Sequence, residues 1–239
     1  MSTQISQLVS DLASQGKWDE AYAGLMRFAQ QNPSGMNDPD IQYQLGVIAF
    51  NNGKLAEAER HLKTALSIDS TRGDAHYRLG LVLLKDGRPA EAMPAFRDAC
   101  ERREGFAVGH LHWGMALMAG NSFRGAIGQF NQAIKLDPKL SAAFIQGGMA
   151  SFRMGQFMEA AQYFQAAVNN EPEIPEPLVC LGIALSAMGN DNDAGKCFMR
   201  AWQVDGKDIT TLRYAASAMA NAGMIDDANE TPDEAMLRE

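Results

Sequence analysis

The sequence predicts an all-α protein built as an array of helical hairpins, and three observations lead to this prediction. A turn residue recurs every 34 positions, small residues recur at fixed offsets from that turn, and apolar residues follow a helical period between turns. The turn residues are Gly53, Gly87, Asn121, Gly155, Gly189 and Gly223. Equal intervals in unbroken succession indicate a repeated unit of helix, tight turn and helix.

Small residues form two columns in phase with this turn, one seven positions before it and one five positions after it. Glycine inside a helix costs about 1 kcal/mol relative to alanine, so its repetition in the first column predicts close approach of a neighbouring helix. The first column is Gly46, Gly80, Gly114, Gly148, Gly182 and Ala216, and the second is Ala58, Ala92, Ala126, Ala160, Ala194 and Ala228.

Large apolar residues follow the second column at helical spacing. Leu62, Phe96, Phe130, Phe164 and Phe198 each stand four positions after an alanine, which places them on the same face of the second helix. Prolines such as Pro138 and Pro172 follow the units and mark helix ends. Pro94 falls inside a predicted helix, where we expect a kink without a break, whereas Pro175 and Pro177 fall in a link and first turn that tolerate proline.

The period and these columns together resemble the tetratricopeptide repeat, from about Thr3 to Ala228. The resemblance implies antiparallel helix pairs stacked in a right-handed superhelical solenoid, with the first helix of each pair lining a concave groove. We predict a degenerate N-terminal capping repeat at 2–35 and an incomplete seventh repeat at 209–230, followed by an acidic C-terminal cap or tail at 231–239. The five full repeats are predicted at 39–72, 73–106, 107–140, 141–174 and 175–208.

Composition and charge restrict the partners that can be expected. The chain has 239 residues, 46% of them apolar, and a formal net charge of −8, so a polyanion such as nucleic acid is repelled on average. No apolar run reaches the roughly 20 residues of a membrane helix, and the first residues do not form a secretion signal. Three cysteines without CxxC spacing fit a reducing compartment. We therefore expect a soluble, cytoplasmic protein that does not insert into membranes.

The resemblance also implies where a partner would bind, because groove residues in this family stand three, six and ten positions before the turn. These positions are apolar or aromatic in four consecutive repeats, which suits an extended hydrophobic segment or an amphipathic helix of a partner protein. Burial of some of them as ordinary core is the alternative. The candidate groove residues are Tyr43, Val47, Phe50, Tyr77, Leu81, Leu84, Leu111, Met115, Met118, Ile145, Met149, Phe152, Val179 and Ile183.

Charged residues flank these positions without occupying them. Many members of the family bind an acidic peptide C-terminus through lysine and asparagine in the groove columns. Here Asn51, Lys85 and Arg153 stand one position away, at the groove edge. The sequence therefore does not predict a receptor for such C-termini.

Residues typical of catalysis are missing from the pattern. His110 and His112 stand two positions apart on a predicted helix and point to different faces, so we expect no shared metal. The sequence holds no phosphate-binding GxxxxGK[ST] loop and no GxSxG elbow. We predict no cofactor and no metal, and we do not expect an enzyme.

The function predicted from the sequence is a non-catalytic adaptor or chaperone-like scaffold for a protein or peptide partner. Two alternatives stay open at this stage. One is a scaffold that self-assembles into a homo-oligomer, and the other is a regulatory subunit of a larger enzyme complex.

Overall fold

The computed structural model describes residues 3–204, and the chain divides into two compact units, Met1–Asn121 and Ser122–Glu239. Within residues 3–204 the secondary structure consists of α-helices and one short 3₁₀ helix at Gly35–Asn37. The first unit contains α1 (Thr3–Ser14), α2 (Trp18–Gln31), α3 (Pro39–Asn51), α4 (Leu55–Ile68), α5 (Gly73–Lys85), α6 (Pro89–Arg102) and α7 (Ala107–Ala119). The second contains α8 (Phe123–Leu136), α9 (Ser141–Arg153), α10 (Phe157–Asn170), α11 (Pro175–Ala187) and α12 (Asp191–Val204).

Helices that follow each other in the chain pack against each other. In the first unit α1 pairs with α2, α3 with α4 and α5 with α6; in the second unit α9 pairs with α10 and α11 with α12. The connecting turns are short because their central residue is left-handed: φ is 76° at Gly53 in the first unit and 75° at Gly189 in the second. In the turn after α3, the Gly53 amide donates to the Phe50 carbonyl and the Lys54 amide to the Ala49 carbonyl. Within each unit, the recurring turn residue is therefore the point at which the described hairpins reverse.

The glycine column is a steric requirement, as its repetition predicted. A Cβ atom on Gly80 would lie 2.7 Å from the ring of Phe96, and one on Gly148 would lie 2.6 Å from the ring of Phe164. The alanine column is fully buried at Ala58, Ala92, Ala126, Ala160 and Ala194. Phenylalanine rings from α6, α10 and α12 thus press on the backbone of the paired first helix, and Leu62 of α4 does the same at Gly46.

Four hairpin pairs lie inside single predicted repeats, and a fifth predicted repeat is divided between the two compact units. Pairs α3/α4, α5/α6, α9/α10 and α11/α12 lie inside 39–72, 73–106, 141–174 and 175–208. Helices α7 and α8 of the predicted repeat 107–140 belong to different compact units. The predictions for 209–230 and 231–239 lie outside the described residues.

The helix bounds can be compared with the predictions for Pro94 and Pro175. Helix α6 continues through Pro94 from Pro89 to Arg102, so this proline does not break it. Helix α11 begins at Pro175, where a missing amide hydrogen costs no intrahelical bond.

A buried polar network joins three helices of the first unit. His61 on α4 is 3% exposed, and its Nδ1 lies 2.7 Å from Oε1 of Gln42 on α3. Gln42 donates its amide to the Met36 carbonyl, so its oxygen faces His61 and accepts from Nδ1. The Nε2 atom then accepts from the Tyr22 hydroxyl at 2.7 Å and from Arg60 at 3.2 Å. The network therefore fixes His61 as a neutral imidazole and ties α2 and the 3₁₀ segment to α3 and α4.

Candidate partner-binding site

The predicted groove residues all lie on the first helices of the hairpins. In the first unit α3 contacts α5 and α5 contacts α7, and in the second unit α9 contacts α11. We call the side of these helices that carries the predicted groove residues the first-helix face, and describe it separately in each unit. Its half-buried members are Tyr43, Val47, Phe50, Tyr77, Leu81, Leu84, Met115, Met118, Phe152, Val179 and Ile183, and Met149 is exposed.

Two predicted groove residues are buried instead. Leu111 is 6% exposed and Ile145 is 7% exposed, and Ile145 belongs to a core cluster of the second unit. Tyr43 and Tyr77 in the same column are half-buried. Leu111 and Ile145 are therefore core residues, and we leave them out of the surface available to a partner.

In the first unit the face is closed by aromatic contacts around Tyr77. Its ring lies 4.9 Å from Phe106, 5.5 Å from His112 and 5.9 Å from Phe96, measured between centroids. The Nδ1 atom of His112 lies 2.9 Å from the Val108 carbonyl oxygen, so it donates there, and the Tyr77 hydroxyl at 3.3 Å is a weaker second acceptor. Burial raises the pKa of Tyr77, which keeps its hydroxyl protonated.

Cations of the first unit rest on aromatic rings. The guanidinium of Arg72 lies 5.0 Å from the centroid of the Tyr43 ring, and the ammonium of Lys85 lies 5.0 Å from that of Phe50. These distances fall within the range of a cation–π interaction. The positive charges at this part of the face are therefore already partnered by the protein itself.

In the second unit the face contains a pocket between α9 and α11. Its volume is about 190 Å³. The ring of Phe164 forms the floor, at the position that the missing side chain of Gly148 leaves open to it. The lining is almost wholly apolar and consists of Met149, Phe152, Arg153, Phe164, Cys180 and Ile183.

Cys180 contributes an inert wall to this pocket. Burial raises the pKa of its thiol to about 11. A thiol that stays protonated at neutral pH is a poor nucleophile and packs as a small apolar group. The residue therefore provides space and not chemistry.

Arg153 supplies the positive charge at the pocket. It is the last residue of α9 and its side chain is exposed. Among residues 3–204, no hydrogen bond, ion pair or aromatic ring engages its guanidinium, and no acidic residue lines the pocket. The pocket thus combines an apolar interior with an available cation.

The described residues do not form a metal centre. Over residues 3–204, no three His, Cys, Asp or Glu side chains are grouped closely enough to hold an ion. His110 stacks on Trp113 at 6.1 Å, whereas His112 turns towards Tyr77 and Val108. In the same part of the chain, no helix combines the length and apolar content that crossing a membrane requires.

Sequence reasoning placed three of the pocket residues on the face and missed how the other three complete it. Met149, Phe152 and Ile183 were predicted as groove residues, Arg153 only as an edge residue, and Phe164 only as packing. Cys180 had no predicted role in binding. A comparison of residue sizes between repeats would have found it, because the larger His112 stands at the same repeat position two repeats earlier.

Comparison with known proteins agrees with this architecture. The family model of the tetratricopeptide repeat matches residues 7–73, 43–105 and 111–167. The chain belongs to the tetratricopeptide repeat family. A search of curated proteins finds no sequence match.

Several solved tetratricopeptide repeat structures share the fold. PilW, a widely conserved type IV pilus biogenesis factor, aligns with a TM-score of 0.74 at 17% identity, over 92% of this chain and 100% of that one. MamA aligns with a TM-score of 0.67 at 21% identity, over 71% and 92%. YrrB, a TPR protein with an unusual peptide-binding site, aligns with a TM-score of 0.65 at 19% identity, over 79% and 96%. At these identities the likeness shows an all-α repeat fold and no more.

Proposed function

We propose that this tetratricopeptide repeat protein is a non-catalytic adaptor or chaperone-like scaffold that binds an apolar or amphipathic segment of a partner protein on its first-helix face. The observation that supports this best is the partial exposure of apolar side chains at the same repeat positions in both units. Met115 and Met118 stand half-buried in the first unit, and Met149 is 41% exposed in the second. Apolar surface of this kind is typical of protein contacts, and methionine adapts to different partners.

The net charge bears on the class of partner, and the cysteines bear on the compartment. The net charge of −8 disfavours nucleic acid as a partner. Cys100, Cys180 and Cys197 are free thiols, which supports a reducing compartment such as the cytoplasm. The peptide-binding site named for YrrB and the role in type IV pilus biogenesis named for PilW belong to those proteins, and they make a binding role reasonable for a chain of the same fold.

The test is affinity capture from a lysate of the native organism with a variant in each unit. Met115→Glu and Met149→Glu place a charge on the first-helix face of the first and second units. Leu81 is unsuitable, because it packs against the core cluster of the first unit and a charge there would unfold it. We expect a captured partner to be lost from at least one variant, because a carboxylate on the face must lose its water when an apolar segment covers it.

Met158→Glu is the matched control. Met158 is 62% exposed but lies on α10, a second helix. The control should retain the partner, and all three variants should keep the helicity and melting temperature of the wild type. Retention of every partner by both face variants would contradict the proposal. Recovery of the protein itself as the sole prey, with a molar mass that rises with concentration in light scattering, would instead favour a self-assembling scaffold.

A further inference from the structure

The pocket of the second unit has a counterpart position in the first unit, because the repeat places residues 68 positions apart in the same column. The counterparts of its six lining residues all lie in the first unit: Leu81, Leu84, Lys85, Phe96, His112 and Met115. The floor is phenylalanine in both units, and glycine admits that ring in both. The two positions therefore share a backbone and a floor, and differ in the side chains around them.

One difference between the two positions is a residue of the lining itself. In the first unit this residue is His112, whose ring lies 6.0 Å from the Phe96 ring and 5.5 Å from Tyr77. In the second unit it is Cys180, which has a much smaller side chain. Tyr77, which also packs on Phe96, has Ile145 as its counterpart, so both positions beside the floor carry a smaller side chain in the second unit. The pocket is thus a local feature of this sequence, and the repeat backbone alone does not create it.

The size and lining of the pocket suit one large apolar side chain. Cavities of about 150 Å³ lined by apolar side chains bind benzene and hold no ordered water. The volume here is about 190 Å³ with an almost wholly apolar lining, so it can receive a phenyl ring or a leucine side chain. Burial of such a side chain is favourable, since it removes apolar surface from water on both sides.

Arg153 favours a bound segment that carries a negative charge. Its counterpart Lys85 rests on the Phe50 ring, whereas no partner engages Arg153 among residues 3–204. Arginine offers a planar set of donors that matches a carboxylate. Met149, Phe152 and Ile183 belong both to the pocket and to the first-helix face, so the pocket opens onto that face and a bound segment can continue past it.

We infer that the pocket between α9 and α11 is an anchor site for a partner segment in which a large apolar side chain stands next to a glutamate or aspartate. The apolar side chain enters the pocket over Phe164, and the neighbouring carboxylate pairs with Arg153. This inference rests on the proposed function and names the chemistry of the partner on the second unit.

The test uses capped tetrapeptides and the complete chain. The probe is acetyl-Gly-Phe-Glu-Gly-amide, and the comparison peptides replace Glu by Gln or Phe by Ala. Methyl NMR follows Met149 and Ile183 in the pocket and Met115 in the first unit. Blocked termini ensure that any carboxylate effect comes from the glutamate side chain. The carboxylate that pairs with Arg153 could also come from the C-terminus of a partner chain. The peptide acetyl-Gly-Phe with a free C-terminal carboxylate tests that source.

We expect the Phe-Glu peptide to shift the Met149 and Ile183 methyl resonances saturably and to leave Met115 unchanged. The Phe-Gln peptide should bind about two- to fivefold more weakly, which is the range of a solvent-exposed ion pair. The Ala-Glu peptide should bind at least about tenfold more weakly because it buries no large side chain. Saturable shifts of equal size for Phe-Glu and Ala-Glu would overturn the inference, as would tighter binding of the free acid than of Phe-Glu.

Two variants test the two parts of the site independently. Cys180→Phe places a ring in the pocket, as His112 does in the first unit, and should abolish the shifts; Cys180→Ala leaves the pocket open and should retain them. Arg153→Gln should keep the affinity for Phe-Gln and remove the preference for Phe-Glu. Arg153 is exposed and unengaged, so this variant keeps its fold even if Cys180→Phe does not. A Phe-Glu preference that survives in Arg153→Gln contradicts the assignment.

The inference and the proposed function can fail separately. If a captured partner depends on Met115 or Met149 but no probe shifts the pocket methyl groups, the inference is wrong and the scaffold function stands. If no captured partner depends on the first-helix face, the proposed function is wrong, whatever the tetrapeptides do.

Discussion

The two units carry the same helical hairpin and use its first-helix face differently. Around Phe96 in the first unit, His112 and Tyr77 fill the space between the first helices with aromatic rings. Around Phe164 in the second unit, Cys180 leaves that space open. The comparison shows that a repeat fixes the position of a site, while the volume of single side chains decides whether a ligand can enter it.

The two units also differ in whether the basic residue at the end of a first helix has a partner. Lys85 ends α5 and stacks on Phe50, whereas Arg153 ends α9 without a partner among residues 3–204. The histidines divide even more sharply, since His61, His76, His110 and His112 all precede residue 122. The first unit therefore contains all four histidines and pairs Lys85 with one of its own rings, and the second offers an open apolar site.

The largest expected effect comes from removing the aromatic floor in each unit. Phe96 is 0% exposed and Phe164 is 3% exposed. Truncation of a buried phenylalanine to alanine costs about 3–5 kcal/mol, and more where the surroundings pack on every side. We expect Phe96→Ala to fall near the upper end and Phe164→Ala near the lower end, because the pocket already deprives Phe164 of contacts on one side.

Urea unfolding monitored by circular dichroism measures both free energies. The two variants share the same chemistry and the same repeat position, so each is the control for the other. A larger loss for Phe164→Ala than for Phe96→Ala would contradict the contrast between a filled and an open site.

The next effect is a pH dependence confined to the first unit. Burial lowers the pKa of His61, and the positive charge of Arg60 adds to this, with Glu57 acting in the opposite direction. The folded chain therefore binds the His61 proton more weakly than the unfolded chain does. Stability from this group is complete above the ordinary histidine pKa of about 6.5 and is lost as the pH falls below it towards the folded pKa.

Hydrogen exchange of the amides of α3 and α4 between neutral and mildly acidic pH measures this loss. His61→Gln should flatten the dependence, since glutamine does not titrate. The amides of α9 and α10 are the internal control, because no histidine lies in their unit. An unchanged pH dependence in His61→Gln would assign the effect to other groups.

The smallest effect compares the two cations at the same repeat position. Lys85→Gln removes a cation–π contact, which is worth about 0.5–1 kcal/mol at an exposed site. Arg153→Gln removes no contact, and surface substitutions of this kind stay within about 0.5 kcal/mol of the wild type. Both residues are basic groups in the last turn of a helix, so the helix-dipole contribution is matched.

Thermal unfolding of the two single variants makes this comparison. Lys85→Gln should melt at a lower temperature than Arg153→Gln. Equal melting temperatures would mean that the Lys85–Phe50 contact contributes no stability.

The repeat period predicted the hairpins because their turns depend on local chemistry. A left-handed turn residue such as Gly53 and a glycine under a large apolar side chain such as Gly80 recur from hairpin to hairpin, so the sequence shows them at a fixed period. The same regularity predicted the groove residues by which the first-helix face is defined. Leu111 and Ile145 are buried, which the column alone did not predict because burial depends on neighbouring side chains.

The polar network around His61 was beyond sequence reasoning for a similar reason. Tyr22, Gln42 and His61 lie on three helices, and their hydrogen bonds exist only once those helices pack. Each residue on its own predicts little, since histidine is found in cores and on surfaces alike.

The sequence by itself determined the helical repeat, the position of its turns and the side of each hairpin that carries the first-helix face. These follow from backbone preference and apolar spacing, which act over a few residues and leave a regular pattern. Only the tertiary structure decided that the face is filled at Phe96 and open at Phe164, and that Arg153 is left available beside the pocket. Such outcomes depend on the summed volumes and pairings of side chains that the chain brings together from distant positions.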